Sequence, residues 1–95
     1  MATNETKELG QETWVELTNA DVAGRVSFQN QGPGAIFVQA TTGSAPSSLD
    51  GSARYAPGFG EVGVYLSDLF PSPAGADRLF AYTRAWAGKV WISHA

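Results

Sequence analysis

Apolar residues in this chain recur at every second position in short bursts, separated by glycine, proline and small polar residues. That period belongs to strands with one face in a core and the other in solvent. In residues 24–30, Val26 and Phe28 fall on one face, while Arg25, Ser27 and Gln29 fall on the other. Residues 35–41 continue as a strand that looks buried on both faces near Phe37. Asn30-Gln31-Gly32-Pro33-Gly34 lies between them as a strong turn signal, so the two runs are expected to form a hairpin. Residues 12–18 open the series, with Val15 and Leu17 on one face and Trp14 and Glu16 on the other. Asn19-Ala20-Asp21 follows as a turn.

The second half repeats this grammar. Residues 52–55 read as a short strand, 56–60 as a turn and 61–66 as an alternating strand. Residues 67–71 read as one helical turn, with Ser67 as its N-cap and Pro71 as its stop. Residues 77–84 and 89–94 are the last two strands, joined through Ala85-Trp86-Ala87-Gly88 as a C-terminal hairpin. Residues 42–51 are the longest stretch without a period and read as an exposed excursion.

Short strands spaced by roughly 8–12 residues, with turn chemistry between them, predict an all-β fold: a small antiparallel β-sandwich or barrel. Its expected core is Val26, Phe28, Ile36, Val38, Leu79 and Ala81. Residues 1–11 are polar, acidic and aperiodic, and read as a flexible N-terminal arm ahead of a single β domain over 12–95. The length of 95 residues is that of one domain.

Composition sharpens this picture mostly by exclusion. Charged residues make up 16% of the chain, against roughly 25% in ordinary soluble domains. The surface left after folding is therefore neutral and suited to contact. The net charge of −3 resides in the first sixteen residues, where Glu5, Glu8, Glu12 and Glu16 face Lys7 alone. From Leu17 onward acids and bases balance, so the basic footprint of a nucleic-acid or anionic-membrane binder is missing. The start of the chain lacks a basic segment followed by an apolar run, so no secretory leader is expected, and no membrane span either. Without cysteine there is no disulfide framework and no thiolate metal site.

Catalytic chemistry is equally sparse. His94 is the only histidine and reads as a strand-end residue satisfied by backbone or solvent. Asp21, Asp50, Glu61, Asp68 and Asp77 are scattered at turns, where carboxylates bond backbone amides. They offer neither a glycosidase-type pair nor a calcium loop. Gly32-Pro33-Gly34 and Gly58-Phe59-Gly60 are turns, since neither opens a helix with a following Lys-Ser or Lys-Thr. The chain reads as a non-enzyme with no cofactor, no metal and no small-molecule substrate. Aromatics are the exception to this poverty. Trp14, Tyr55, Phe59, Tyr65, Trp86 and Trp91 could stack on sugars or bases where exposed, and Phe59 and Trp86 stand in predicted loops.

Four segments, in this order, resemble a group of small proteins encoded beside the head genes of tailed phages and prophages, mainly of alphaproteobacteria. They are Trp14-Val15 with Thr18; residues 50–55 running into 57–61; Leu66-Ser67-Asp68-Leu69-Phe70-Pro71; and the closing Val90-Trp91-Ile92-Ser93-His94-Ala95. The resemblance implies a virion component that decorates or cements the capsid exterior after assembly in the host cytoplasm. It carries no defined functional residues with it. The expected partner is the major capsid protein, met by a homotrimer at three-fold or quasi-three-fold positions. Candidate partner-binding residues are Thr3, Asn4, Glu5 and Leu9 in the arm and Trp14 at the first strand. Ser44, Pro46 and Leu49 in the excursion, with Phe59 and Trp86, complete the set. A carbohydrate-binding head-fibre or tail-tip module, or an accessory protein of neck or tail, remains the alternative.

Overall fold

The computed structural model describes residues 3–18, 22, 24–71, 75–84 and 87–94. The strands are β1 (Thr3–Leu9), β2 (Val15–Glu16), β3 (Arg25–Asn30), β4 (Ile36–Thr41), β5 (Ala53–Tyr55), β6 (Gly60–Tyr65), β7 (Arg78–Tyr82) and β8 (Gly88–His94). One helical turn, α1 (Leu66–Leu69), follows β6. The strands form two antiparallel four-stranded sheets, ordered β1-β8-β3-β6 and β2-β7-β4-β5. The sheets pack together without closing into a barrel, so the fold is a small β-sandwich.

The alternation seen in the sequence builds the core directly. Val26 and Phe28 of β3, Val90 and Ile92 of β8, and Leu9 of β1 point in from the first sheet. Ile36, Val38 and Ala40 of β4 meet them from the second sheet, with Leu79 and Ala81 of β7. All six expected core residues are essentially without solvent contact. Phe37 alternates outward and is half-buried, so β4 buries one face rather than two.

Both expected hairpins are absent. β3 lies in the first sheet and β4 in the second, and β7 and β8 are divided in the same way. Among the described strands only β4 and β5 are sequential neighbours that pair. The physical reason is that each strand has one strongly apolar face. A connection that carries the chain over to the opposite sheet lets two such faces meet, whereas a hairpin would only lay them side by side. Asn30 shapes the first of these corners. Its buried side chain donates to the carbonyls of Gly34 (2.8 Å) and Tyr55 (3.0 Å) and accepts from the Gly32 amide (3.0 Å).

Two further expectations need revision. Residues 3–9, assigned to a flexible arm, form β1 and pair along their whole length with β8, from Thr3 opposite His94 to Leu9 opposite Gly88. A ladder of backbone hydrogen bonds needs no apolar side chains, and Leu9 anchors the strand by entering the core. The helical turn begins at Leu66, which is buried, so its N-cap position falls on Tyr65 and no side chain caps it. Ser67 lies inside the turn and is exposed. The expected turns at 19–21 and 85–86, with the loop at 72–74, lie outside the described residues.

Candidate binding groove and loop

The corner between β5 and β6 is a tight turn over residues 56–59, closed by the Phe59 amide donating to the Ala56 carbonyl (3.0 Å). Pro57 supplies its second position, and Gly58 supplies the third with φ +88, the left-handed conformation that a type II turn demands. The turn is also pinned to β3. The Gly58 amide donates to the Asn30 carbonyl (2.8 Å), and the Asn30 amide donates to the Phe59 carbonyl (2.9 Å). Phe59 therefore sits on a fixed backbone while the residue is 66% exposed.

Beside it, pairing aligns Thr6, Trp91, Gln29 and Gly60 in one row across all four strands of the first sheet. Gln29 is exposed and Trp91 half-buried on the outer face. The Trp91 indole N–H donates to Asn4 Oδ1 (3.0 Å). Gln31 Nε2 donates to Gln29 Oε1 (3.2 Å), and Gln29 Nε2 donates to the Gly58 carbonyl (3.2 Å). Gly60 ends the row on the edge strand β6, and any Cβ there would collide with the Phe28 carbonyl oxygen. Just beyond it β6 carries a bulge, where Val62 and Gly63 oppose Ser27 alone. Gly63 takes φ +63, and its amide donates to Ser27 Oγ (2.9 Å). The bulge leaves Val62 81% exposed.

These features enclose a groove of about 340 Å³. Its lining is Gln29, Gly58, Phe59, Gly60, Val62 and Trp91, with Phe28 beneath, and contains no ionisable side chain. Sequence reasoning singled out Phe59 and weighed Trp91, but missed Gln29 and Val62. Gln29 was legible as an outward position; Val62 was not, since the bulge alone turns it outward.

The excursion after β4 is well tied. Gln39 Nε2 points its two hydrogens at three acceptors: the carbonyls of Ser48 (2.8 Å) and Asp50 (2.9 Å), and Ser52 Oγ (2.9 Å). The Ser52 amide donates to the Leu49 carbonyl (3.1 Å), and the Asp50 amide to Ser48 Oγ (3.3 Å). Ser44 is exposed on this loop, and Pro46 and Leu49 are half-buried.

Titratable groups serve the frame. The Tyr55 hydroxyl donates to Glu61 Oε2 (3.1 Å). Burial pushes the phenol above the usual tyrosine range, and the hydrogen bond to Glu61 and its negative charge push in the same direction. Glu16 accepts from the Thr18 hydroxyl (3.1 Å) and lies 3.6 Å from Arg78. The Arg25 guanidinium stands 5.1 Å from the centre of the Tyr65 ring. Among the described residues, no three His, Asp or Glu side chains gather in a way that could hold a metal ion.

The candidate partner residues thus separate into distinct places. Thr3, Asn4 and Glu5 lie on the edge strand β1, with Glu5 exposed and 3.9 Å from Lys7 Nζ. Leu9 is removed from the surface set, because its side chain is buried in the core. Trp14 packs on Tyr82 (ring centres 5.0 Å apart) and is half-buried. Ser44, Pro46 and Leu49 share the tethered loop, and Phe59 rims the groove. Trp86 lies outside the described residues. Compared with known protein families, with curated proteins and with solved structures, the chain matches none.

Proposed function

We propose that this protein is a phage head decoration protein that binds the outer surface of the major capsid lattice as a homotrimer and cements it. The reading rests on the order of the four sequence segments that resemble small head-gene-associated phage proteins. The structural observation that supports it is the tethered loop over residues 42–52. A long loop is normally costly to dock, because binding must first order it. Here the Gln39 amide already ties down its second half, at Ser48, Asp50 and Ser52. Its exposed Ser44, Ala45, Ser47 and Ser48 can lie against a neighbouring backbone without desolvating a charge. A protein that binds the intact shell but not its disrupted form stabilises the shell by mass action.

The experiment is to count the protein in purified virions and to heat particles with and without it. The reading expects hundreds of copies per particle, earlier rupture of particles lacking the protein, and attachment that survives a high-salt wash. Apolar and backbone contacts are little affected by salt, whereas exposed ion pairs are screened over about 10 Å at 0.1 M. A handful of copies located at the tail would reject the reading.

A further inference from the structure

We propose that the groove on the outer face of the β1-β8-β3-β6 sheet is a binding site for a neutral glycan. The proposal concerns the isolated protein and is independent of how it attaches to a shell.

Three observations on the lining select this ligand. The first is a ring presented at a cost. Phe59 is two-thirds exposed on a turn fixed by three backbone hydrogen bonds, so an apolar ring stands at the surface on a rigid backbone. Trp91 lines the same groove, its indole N–H already occupied by Asn4 and its ring apolar. Aromatic surfaces of this kind receive the C–H face of a pyranose, and they do so without side-chain ordering when the backbone is rigid.

The second observation is the orientation of Gln29. Gln31 donates to its carbonyl oxygen and the Gly58 carbonyl accepts from its nitrogen, which fixes the amide in one orientation. One N–H and one lone pair remain unused on this exposed side chain. A vicinal diol offers the matching pair, since each hydroxyl both donates and accepts.

The third observation is the absence of ionisable side chains from the lining, which argues against the charged ligands that aromatic platforms otherwise take. Single-stranded nucleic acid needs Lys or Arg along its backbone, and sulfated or sialylated glycans need a counter-charge. The volume of about 340 Å³ falls at the small end of ligand sites, roughly 300–1,000 Å³, which suits one or two sugar rings. Gly60 keeps the floor open, because no side chain can be placed there.

The test is to apply the purified full chain to a printed array of neutral hexose and N-acetylhexosamine oligosaccharides, with a heparin hexasaccharide and an oligothymidylate as anionic probes. The strongest neutral glycan is then titrated into labelled protein and read by amide and indole chemical shifts. Shifts are expected at Gln29, Gly58, Phe59, Gly60 and the Trp91 indole. Phe59→Ala should weaken binding about tenfold, the scale of losing one stacked ring, and Gln29→Ala should weaken it by a similar factor. Phe59→Trp, which keeps the platform and widens it, should bind at least as tightly as the parent. Retention of no neutral glycan, shifts confined to another face, or preferential binding of an anionic probe would each overturn the proposal. Because the readout is on isolated protein, its failure leaves virion attachment untouched, and failure of attachment leaves sugar binding intact.

Discussion

The Phe28 ring meets the Tyr55 ring edge-on, with centres 5.1 Å apart and planes at 90°. Phe28 belongs to the first sheet and Tyr55 to the second, so this pair joins the two layers of the sandwich. Edge-to-face geometry is the favoured arrangement for such rings and adds to the area they bury. Tyr55 also donates to Glu61 of β6 through its hydroxyl, so one residue of the second sheet is tied to both β3 and β6 of the first.

Truncating the buried member of this pair should be severe. Phe28→Ala is expected to lose about 3–5 kcal/mol, from lost burial and the cavity left behind. Chemical denaturation at equilibrium would measure it. A loss below about 1 kcal/mol would mean that the two layers do not meet here as described.

The phenol of Tyr55 sets an alkaline limit. Its folded-state affinity for the proton is raised by burial first and by Glu61 second. The unfolded chain releases that proton near the ordinary tyrosine value of about 10. Below that pH both states hold it and stability is complete. As pH rises above it, only the unfolded state gives it up, so stability must fall. Tyr55→Phe should cost about 1 kcal/mol at neutral pH, where the hydrogen bond to Glu61 is lost. The variant should lose less than the parent between neutral pH and pH 11. Parallel melting curves across that range decide the matter, and parallel declines in both proteins would refute the assignment.

Removing residues 1–9 tests the edge strand. A flexible arm could be removed with little change in melting temperature. A paired strand whose last residue fills the core could not: burial of Leu9 alone is on the order of 2–5 kcal/mol. Deletion would also bare the edge of β8, an invitation to self-pairing. Thermal melting together with sedimentation should therefore show a less stable protein that associates with itself.

Two glycines should behave in opposite ways. Gly60→Ala drives a methyl group into the β3 backbone and should destabilise by about 1–3 kcal/mol or more. Gly10→Ala meets open space and should be neutral within about 0.5 kcal/mol, or slightly stabilising. If Gly60→Ala melts like the parent, the close approach of β6 to β3 is not as described.

The loop can be released without unfolding the body. Gln39→Ala removes the amide that binds Ser48, Asp50 and Ser52, and leaves the β4 backbone ladder in place. Amide exchange within residues 42–52 should quicken while the strands keep their protection, and the head-decoration reading expects retention on virions to weaken. Unchanged exchange in the loop would show that Gln39 is not its anchor.

The strands were readable from sequence wherever one face is apolar and the other is not. Val26 and Phe28 announce β3, Ile36 and Val38 announce β4, and Leu79 and Ala81 announce β7. β1 was unreadable for the opposite reason. Its only apolar member is Leu9, and its strand state comes from the ladder offered by β8, a partner nearly ninety residues away along the chain. Pairing was hidden as well. Alternation fixes which face goes inward but not which edge meets which, so neighbouring strands such as β3 and β4 could be given to one sheet when they belong to two. The groove was half-legible. Pro57-Gly58 marks the turn that raises Phe59, whereas the bulge that exposes Val62 depends on a register no local pattern reveals.

The register between β1 and β8 also gives the molecule a mechanical weak direction. Thr3 stands opposite His94, so chain entering before one and leaving after the other departs from adjacent points at the same end of an antiparallel pair. Tension applied through those two points would act along the hydrogen bonds, which lie perpendicular to the strands, and would load them one rung at a time. The ladder would then peel open like a zipper, at low force, instead of resisting as a sheared sheet does. Anchored at one end only, the same sandwich would never feel that load.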